Sequence, residues 1–321
     1  MDYYSRMLAI ISPNEYLPKE ILEANGVKTV FLFPAKKSFF SRVIRRITLL
    51  TGLFIFCFDE SFAKVDLSKY DMILVTEKIY PVTILSYLRS KNQHCKLIYW
   101  MWNTAISERL RLYDAQKEWK KVVQGRKKYG YEIISFDKSD CEKYNLIYTG
   151  QLAQFYDDIV PPKKPIKDVF FCGRDKGRLN ELKRLAKEFD KKGITYDFWV
   201  VPDVKTKYSN DDWNTYLHQE QLPYRTLIDK EVNYDCILEL VKENQGGITW
   251  RALESLFYRK KLITNFKSIK EYDFYNPENI FILGEDRLEN LTNFLRSPYS
   301  PVEDKYVDKY KFKEWVKQLL N

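Results

Sequence analysis

Two hydrophobic periods alternate along this chain. Short apolar runs, of the length of buried strands, recur between stretches with helical spacing. The runs lie at 7–12, 29–33, 72–75, 96–102 and 132–136, and then at 168–172, 197–201, 236–241, 262–264 and 279–283. This alternation predicts an α/β fold in which parallel sheets are covered by helices on both faces.

A break in both periods separates the runs into two groups. Residues 157–167 read DDIVPPKKPIK, and three prolines in a charged setting are typical of a domain boundary. A chain of 321 residues is long enough for two domains that each bury a core. We therefore predict domains over 1–157 and 168–308, followed by a helical segment over 309–321.

The most informative stretch is 245–265, QGGITWRALESLFYRKKLITN. Gln245, Gly246 and Gly247 predict a tight turn with free backbone amides, and Thr249 opens a helix. Leu253, Leu256 and Phe257 repeat at helical spacing and should face a core, whereas Arg251 and Glu254 share another face near the helix N-terminus. A short strand follows. Such a junction suits a phosphate group.

A second junction of the same kind follows the first strand of the second domain. The loop 173–178 reads GRDKGR and leads into a helix that runs to about Lys191. Gly173 at a strand end, followed by Arg174 and Lys176, predicts an anion site made of backbone amides and positive charge. In open α/β sheets ligands bind beyond the carboxyl ends of the strands, so the two loops could face one ligand.

These two stretches resemble the donor-binding signatures of GT-B glycosyltransferases, in particular those of bacterial lipopolysaccharide and capsular polysaccharide biosynthesis. The resemblance implies two Rossmann-like doubly wound domains that face a central cleft, with the acceptor domain first and a final helix packing back on it. It also implies that loop amides meet the diphosphate of a nucleotide sugar and that Glu254 holds the ribose. The implied donor-binding residues are Gly173, Arg174, Lys176, Tyr224, Gln245, Gly246, Gly247, Thr249, Arg251 and Glu254.

A catalytic base is needed if transfer inverts the sugar, and no such base is needed if it retains. Asp59, Glu60 and Glu77 are candidate bases because each follows an apolar run, where a strand could end at the cleft, and of these we select Asp59 and Glu77. The tryptophans at 100 and 102 could contact an acceptor sugar or could belong to the core. No metal or other cofactor is expected, because His94 and His218 lack partners at metal spacing and 210–212 reads as a solvated turn.

The net charge of +9 favours anionic partners, but no nucleic-acid recognition motif accompanies it. Residues 38–51 form a basic amphipathic pattern that suits an anionic inner leaflet and equally suits a core-packed helix with a solvated basic face. The start of the chain lacks a secretory signal pattern, and five scattered cysteines favour a reducing cytoplasm.

Taken together, these features predict a metal-independent glycosyltransferase that uses a nucleotide-sugar donor, a UDP-sugar by default, and a lipid-linked oligosaccharide or surface-glycan acceptor. It would lie in the cytoplasm or at the inner face of the membrane. The alternative is a non-catalytic nucleotide-sugar or glycan-binding subunit of the same fold that serves a partner enzyme.

Overall fold

The computed structural model describes residues 3–11, 16–34, 58–76, 82–102, 115–242 and 246–320, together with Val43 and Ile47. The chain divides into two compact units. One comprises the chain up to Gln154 together with the helix that begins at Phe312, and the other is Phe155–Lys311. None of the described helices is long and apolar enough to cross a bilayer.

The first unit is a parallel six-stranded sheet. Its strands are β1 (Met7–Ile11), β2 (Lys28–Phe31), β3 (Met72–Thr76), β4 (Lys96–Met101), β5 (Glu132–Ser135) and β6 (Ile147–Tyr148), in the order β2-β1-β3-β4-β5-β6. The helices between them are α1 (Tyr16–Ala24), α2 (Glu60–Ala63), α3 (Val82–Lys91), α4 (Ala115–Tyr129) and α5 (Lys138–Tyr144). Every residue of β1 and β3 is buried, as continuous apolar runs in a sheet covered on both faces should be.

The second unit repeats this plan with a parallel five-stranded sheet. Its strands are β7 (Lys167–Arg174), β8 (Tyr196–Val201), β9 (Tyr234–Glu239), β10 (Lys261–Thr264) and β11 (Ile280–Ile282), in the order β11-β10-β9-β7-β8. Its helices are α6 (Leu179–Lys191), α7 (Asn210–Thr215), α8 (Tyr224–Glu231), α9 (Trp250–Phe257), α10 (Leu291–Arg296) and α11 (Lys305–Asp308). Short 3-10 segments lie at Tyr3–Arg6, Leu67–Lys69, Lys267–Glu271 and Leu288–Asn290.

The helix α12 (Phe312–Leu320) belongs to the first unit, although it follows the second in the chain. Trp315 is fully buried, and its ring lies 4.8 Å from that of Trp100 on β4. Phe312 contacts Tyr4 edge to face, with ring centroids 5.2 Å apart. Trp100 also contacts Trp102, so within this unit Trp100 is a core residue. The predicted α/β architecture with parallel sheets is confirmed.

Candidate functional site

The strand order of the second unit creates a topological switch point between β7 and β9. From β7 the chain passes to β8 at one edge of the sheet, whereas from β9 it passes to β10 on the opposite side. Loops that leave neighbouring parallel strands in opposite directions open a crevice at the carboxyl edge of the sheet. The two loops that the sequence singled out, 173–178 and the segment before Thr249, follow these two strands. The fold therefore places both at the same edge.

Arg178 joins the two loops directly. Its Nη1 donates to the carbonyl oxygen of Leu240 at 2.8 Å, just beyond the end of β9. Its Nε donates to the Asp175 carbonyl at 3.1 Å, and Nη2 donates to the Arg174 carbonyl. Burial lowers the pKa of this guanidinium, while Asp175 opposes the shift. Arg178 was not among the predicted site residues, because its partner Leu240 is distant in sequence.

Asp175 caps the N-terminus of α6. Its Oδ1 accepts from the Leu179 amide at 2.7 Å, its Oδ2 accepts from the Tyr208 hydroxyl at 2.8 Å, and the residue is only 3% exposed. One amide of this helix terminus is thus already satisfied by a carboxylate of the same loop. The N-terminus of α6 therefore has fewer free amides for an anion than the sequence predicted. Arg174 and Lys176 beside it are exposed.

The start of α9 follows the sequence prediction closely. Thr249 is the N-cap, and its side-chain oxygen accepts from the Ala252 amide at 3.4 Å. The amide of Ile248 donates to the Tyr272 hydroxyl at 3.1 Å, which fixes the turn that contains Gly246 and Gly247. Leu253 and Leu256 are buried as predicted. Gln245, the first residue of the predicted turn, lies outside the described residues.

Glu239, which the sequence analysis did not select, is the last residue of β9 and is 3% exposed. Its Oε1 accepts from the Thr249 hydroxyl, and its Oε2 accepts from the Thr264 hydroxyl at 2.5 Å. Burial raises the pKa of Glu239, whereas the hydrogen bonds from Thr249 and Thr264 lower it. No local pattern could have identified this residue, because its partners lie on two later elements.

Glu254 lies in a buried charged cluster with Arg251, Glu231 and Tyr224. Its Oε1 accepts from the Tyr224 hydroxyl at 2.8 Å, and its Oε2 forms an ion pair with Arg251. The same Arg251 nitrogen pairs with Glu231 at 2.5 Å, and both carboxylate side chains are only 1% exposed. A ribose would reach Glu254 only by replacing one of these partners, so the predicted ribose contact requires a rearrangement of this cluster.

Burial dominates the ionisation of this cluster. It raises the pKa of Glu254, with Arg251 opposing the rise and Glu231 adding to it. It also raises the pKa of Glu231, again against Arg251. The pKa of Tyr224 is raised well above its usual range by burial and by Glu254. Two buried carboxyl groups that share one guanidinium favour retention of a proton between them.

Of the acids considered as bases, Asp59 and Glu60 lie among the described residues. Asp59 is the N-cap of α2, where Oδ1 accepts from the Ser61 amide at 2.9 Å and from the Ser61 hydroxyl at 2.6 Å. Glu60 is exposed and pairs with Lys64. Glu77 lies outside the described residues. Asp59 and Glu77 therefore remain predictions.

Two further predicted segments are 38–51 and 210–212. Most of 38–51 lies outside the described residues, while Val43 and Ile47 are exposed. The interpretation of 210–212 as a solvated turn was wrong, because these residues begin α7. Asp212 is 6% exposed and forms a capping box with Ser209.

Comparison with known proteins shows similarity in structure alone. No protein-family model matches the chain, and no curated protein matches it. The structure of Anabaena Alr3699/HepE in complex with UDP and glucose superposes with a TM-score of 0.51 at 10% identity, covering 92% of this chain and 83% of that one. Sucrose-phosphate synthase from Thermosynechococcus elongatus gives a TM-score of 0.49 at 10% identity, covering 98% and 86% of the two chains.

The likeness to Alr3699/HepE bears on the fold. It agrees with two successive parallel α/β units, and the predicted α/β, GT-B fold class is confirmed. At 10% identity this likeness shows the fold and not the activity.

Proposed function

We propose that this chain is a glycosyltransferase that moves a sugar from a nucleotide-sugar donor, a UDP-sugar by default, to an acceptor. The observation that carries the proposal is the meeting of two loops at the switch point of the second unit, where Arg178 of one loop binds Leu240 at the start of the other. That the similar Anabaena protein was solved with UDP and glucose supports a nucleotide ligand.

The donor would bind across this edge. The exposed Arg174 and Lys176 would screen the diphosphate, and the turn at Gly246, Gly247 and Thr249 would present amides at the N-terminus of α9. Arg251 already pairs with two carboxylates, so we assign it to the support of Glu254. Tyr224 covers Glu254, and we infer that the ribose displaces its hydroxyl. Gln245 remains a predicted donor-binding residue.

In the proposed reaction the nucleoside diphosphate is the leaving group. The bond from the anomeric carbon to the diphosphate breaks as the acceptor oxygen bonds to that carbon, and negative charge develops on the nucleoside diphosphate. Amides and basic side chains stabilise this charge without a metal ion. In an inverting reaction Asp59 or Glu77 would take the acceptor proton. We further propose a lipid-linked oligosaccharide or surface-glycan acceptor of the lipopolysaccharide or capsule type, with the basic segment 38–51 at an anionic leaflet.

A panel of UDP, GDP, CMP and dTDP in a thermal-shift assay tests the donor site. At a concentration of one hundred times Kd, the matching nucleotide should add about 2.7 kcal/mol to the free energy of unfolding, because it binds only the folded state. The absence of any response would contradict the proposal. The same measurement with EDTA tests metal independence, and a response that requires a divalent cation would contradict that part.

Turnover then separates the enzyme from a binding subunit. Donor hydrolysis or transfer, measured with and without a lipid-linked glycan, should release free nucleoside diphosphate. Nucleotide binding without any turnover on either arm would favour the non-catalytic subunit instead.

A further inference from the structure

Glu239 lies at the end of β9, where side-chain hydrogen bonds connect the chain segments that follow β7, β9 and β10. On one side Arg178 holds the Leu240 carbonyl, and on the other Asn265 forms two hydrogen bonds with Val241, of 2.7 and 2.9 Å. These bonds fix the chain as it leaves β9. Glu239 adds the connection from β9 to the N-cap of α9 and to the end of β10.

The two threonines determine which form of Glu239 is required. The Thr249 oxygen accepts from the Ala252 amide, and the Thr264 oxygen accepts from the Phe266 amide at 3.0 Å. Each hydroxyl therefore has its single proton available for Glu239, and both carboxyl oxygens accept. An ionised carboxylate meets both demands, whereas a glutamine amide would place a donor against one of the hydroxyls.

Because Glu239 is buried, its ionised form depends on the hydrogen bonds from the two threonines. An ionised carboxyl group that is 3% exposed needs compensation, and hydrogen bonds to a charged acceptor are stronger than neutral ones. Burial raises the pKa of Glu239 and so opposes the charged form, whereas the two threonine hydroxyls and Arg251 favour it. Because the carboxylate holds the N-cap of α9, it fixes where that helix begins relative to β9.

We propose that Glu239 is a positioning residue of the donor site. Its carboxylate holds Thr249, and through it the turn at Gly246 and Gly247, against the ends of β9 and β10, so that the amides at the start of α9 are aligned for a diphosphate before the ligand arrives. This inference rests on the proposed function.

Calorimetric titration with UDP and with uridine tests the proposal on the full chain. In Glu239→Gln the UDP Kd should rise about tenfold, while the uridine Kd should change little, since the misaligned amides face the diphosphate. Thr249→Val should show the same selective loss, and Thr249→Ser should restore UDP affinity because it keeps the hydroxyl. If Glu239→Gln does not fold, the two Thr249 variants carry the test.

Asp212→Asn is the matched control. Asp212 is also a buried carboxylate at a helix N-terminus of the second unit, but it belongs to the capping box of α7 and takes no part in the proposed site. Its replacement should lower Tm and leave the UDP Kd unchanged. Equal UDP affinity in wild type and Glu239→Gln, or equal losses for UDP and uridine, would overturn the positioning role. A wild type that binds neither these two compounds nor any other nucleotide of the thermal-shift panel would overturn the proposed function, and this inference with it.

Discussion

Glu254 illustrates how a residue chosen from its sequence position can acquire a different environment in the fold. Its position three residues after Arg251 predicted a shared helix face, and the two side chains do form an ion pair. Glu231 and Tyr224, which complete the cluster, come from α8. Their approach depends on how α8 and α9 pack, which a local pattern does not encode. The pairing of Glu254 with Arg251 was predictable from the sequence, whereas the burial of Glu254 was not.

The ionisation of Glu254 gives a pH dependence that can be tested. Its pKa is raised by burial, so the folded chain keeps a proton that the unfolded chain loses above a pH of about 4.5. Stability should therefore fall as pH rises from 4.5 towards the raised pKa, by at most about 1.4 kcal/mol per pH unit for one proton. In Glu254→Gln this contribution is absent, and the decline should be shallower.

Chemical denaturation at a series of pH values measures this difference. The control is Glu188→Gln, since Glu188 is a partly exposed acid whose pKa is lowered by Lys191. That variant should not flatten the decline. Parallel stability curves for wild type and Glu254→Gln would show that the cluster holds no proton in this range.

At the scale of elements, the strand and helix pattern was largely predictable. The short apolar runs became strands with small shifts at their ends, and Thr249 opens a helix as predicted. β6 was missed because it has only two residues. The contacts that assemble the site, from Arg178 to Leu240 and from Glu239 to Thr249, were not predictable because they depend on strand order.

Two helix ends in the second unit offer a direct comparison. α6 is followed by Gly193 with φ of 65°, whereas α9 is followed by Arg259 with φ of 53°. Glycine adopts this left-handed conformation without steric cost, but other residues do not. Arg259→Gly should therefore stabilise the protein by about 1 kcal/mol.

Differential scanning calorimetry should show the transition of the second unit rising by about 2–4 °C. Gly193→Ala is the reciprocal variant, and it should lower the same transition by a similar amount. No Cβ clash complicates that change, because nothing lies within 4 Å of the added atom. A decrease in Tm for Arg259→Gly would indicate that the side chain contributes more than the backbone strain costs.

At the scale of the whole molecule, the chain begins and ends in the first unit, and the second unit is a continuous insertion. Trp315 on α12 is fully buried against Trp100, so the first unit depends on residues that follow the second unit. Trp315→Ala should destabilise the first unit by about 3–5 kcal/mol. The second unit does not include α12 and should keep its stability.

Calorimetry that resolves two transitions, combined with hydrogen exchange, would assign the loss. Leu320→Ala is a suitable control on the same helix, because Leu320 is 45% exposed and should change stability little. An equal shift of both transitions by Trp315→Ala would show that the two units unfold together.

The membership of α12 also sets an order of events during synthesis. Domains usually fold as they emerge from the ribosome, the N-terminal one first. Here the second unit is complete once Lys311 has emerged, whereas the first unit still lacks the helix that covers Trp100. A nascent chain stalled when Lys311 has just left the ribosome should therefore hold a folded second unit and an unfinished first one, whose exposed tryptophan face would be a target for chaperones until α12 emerges.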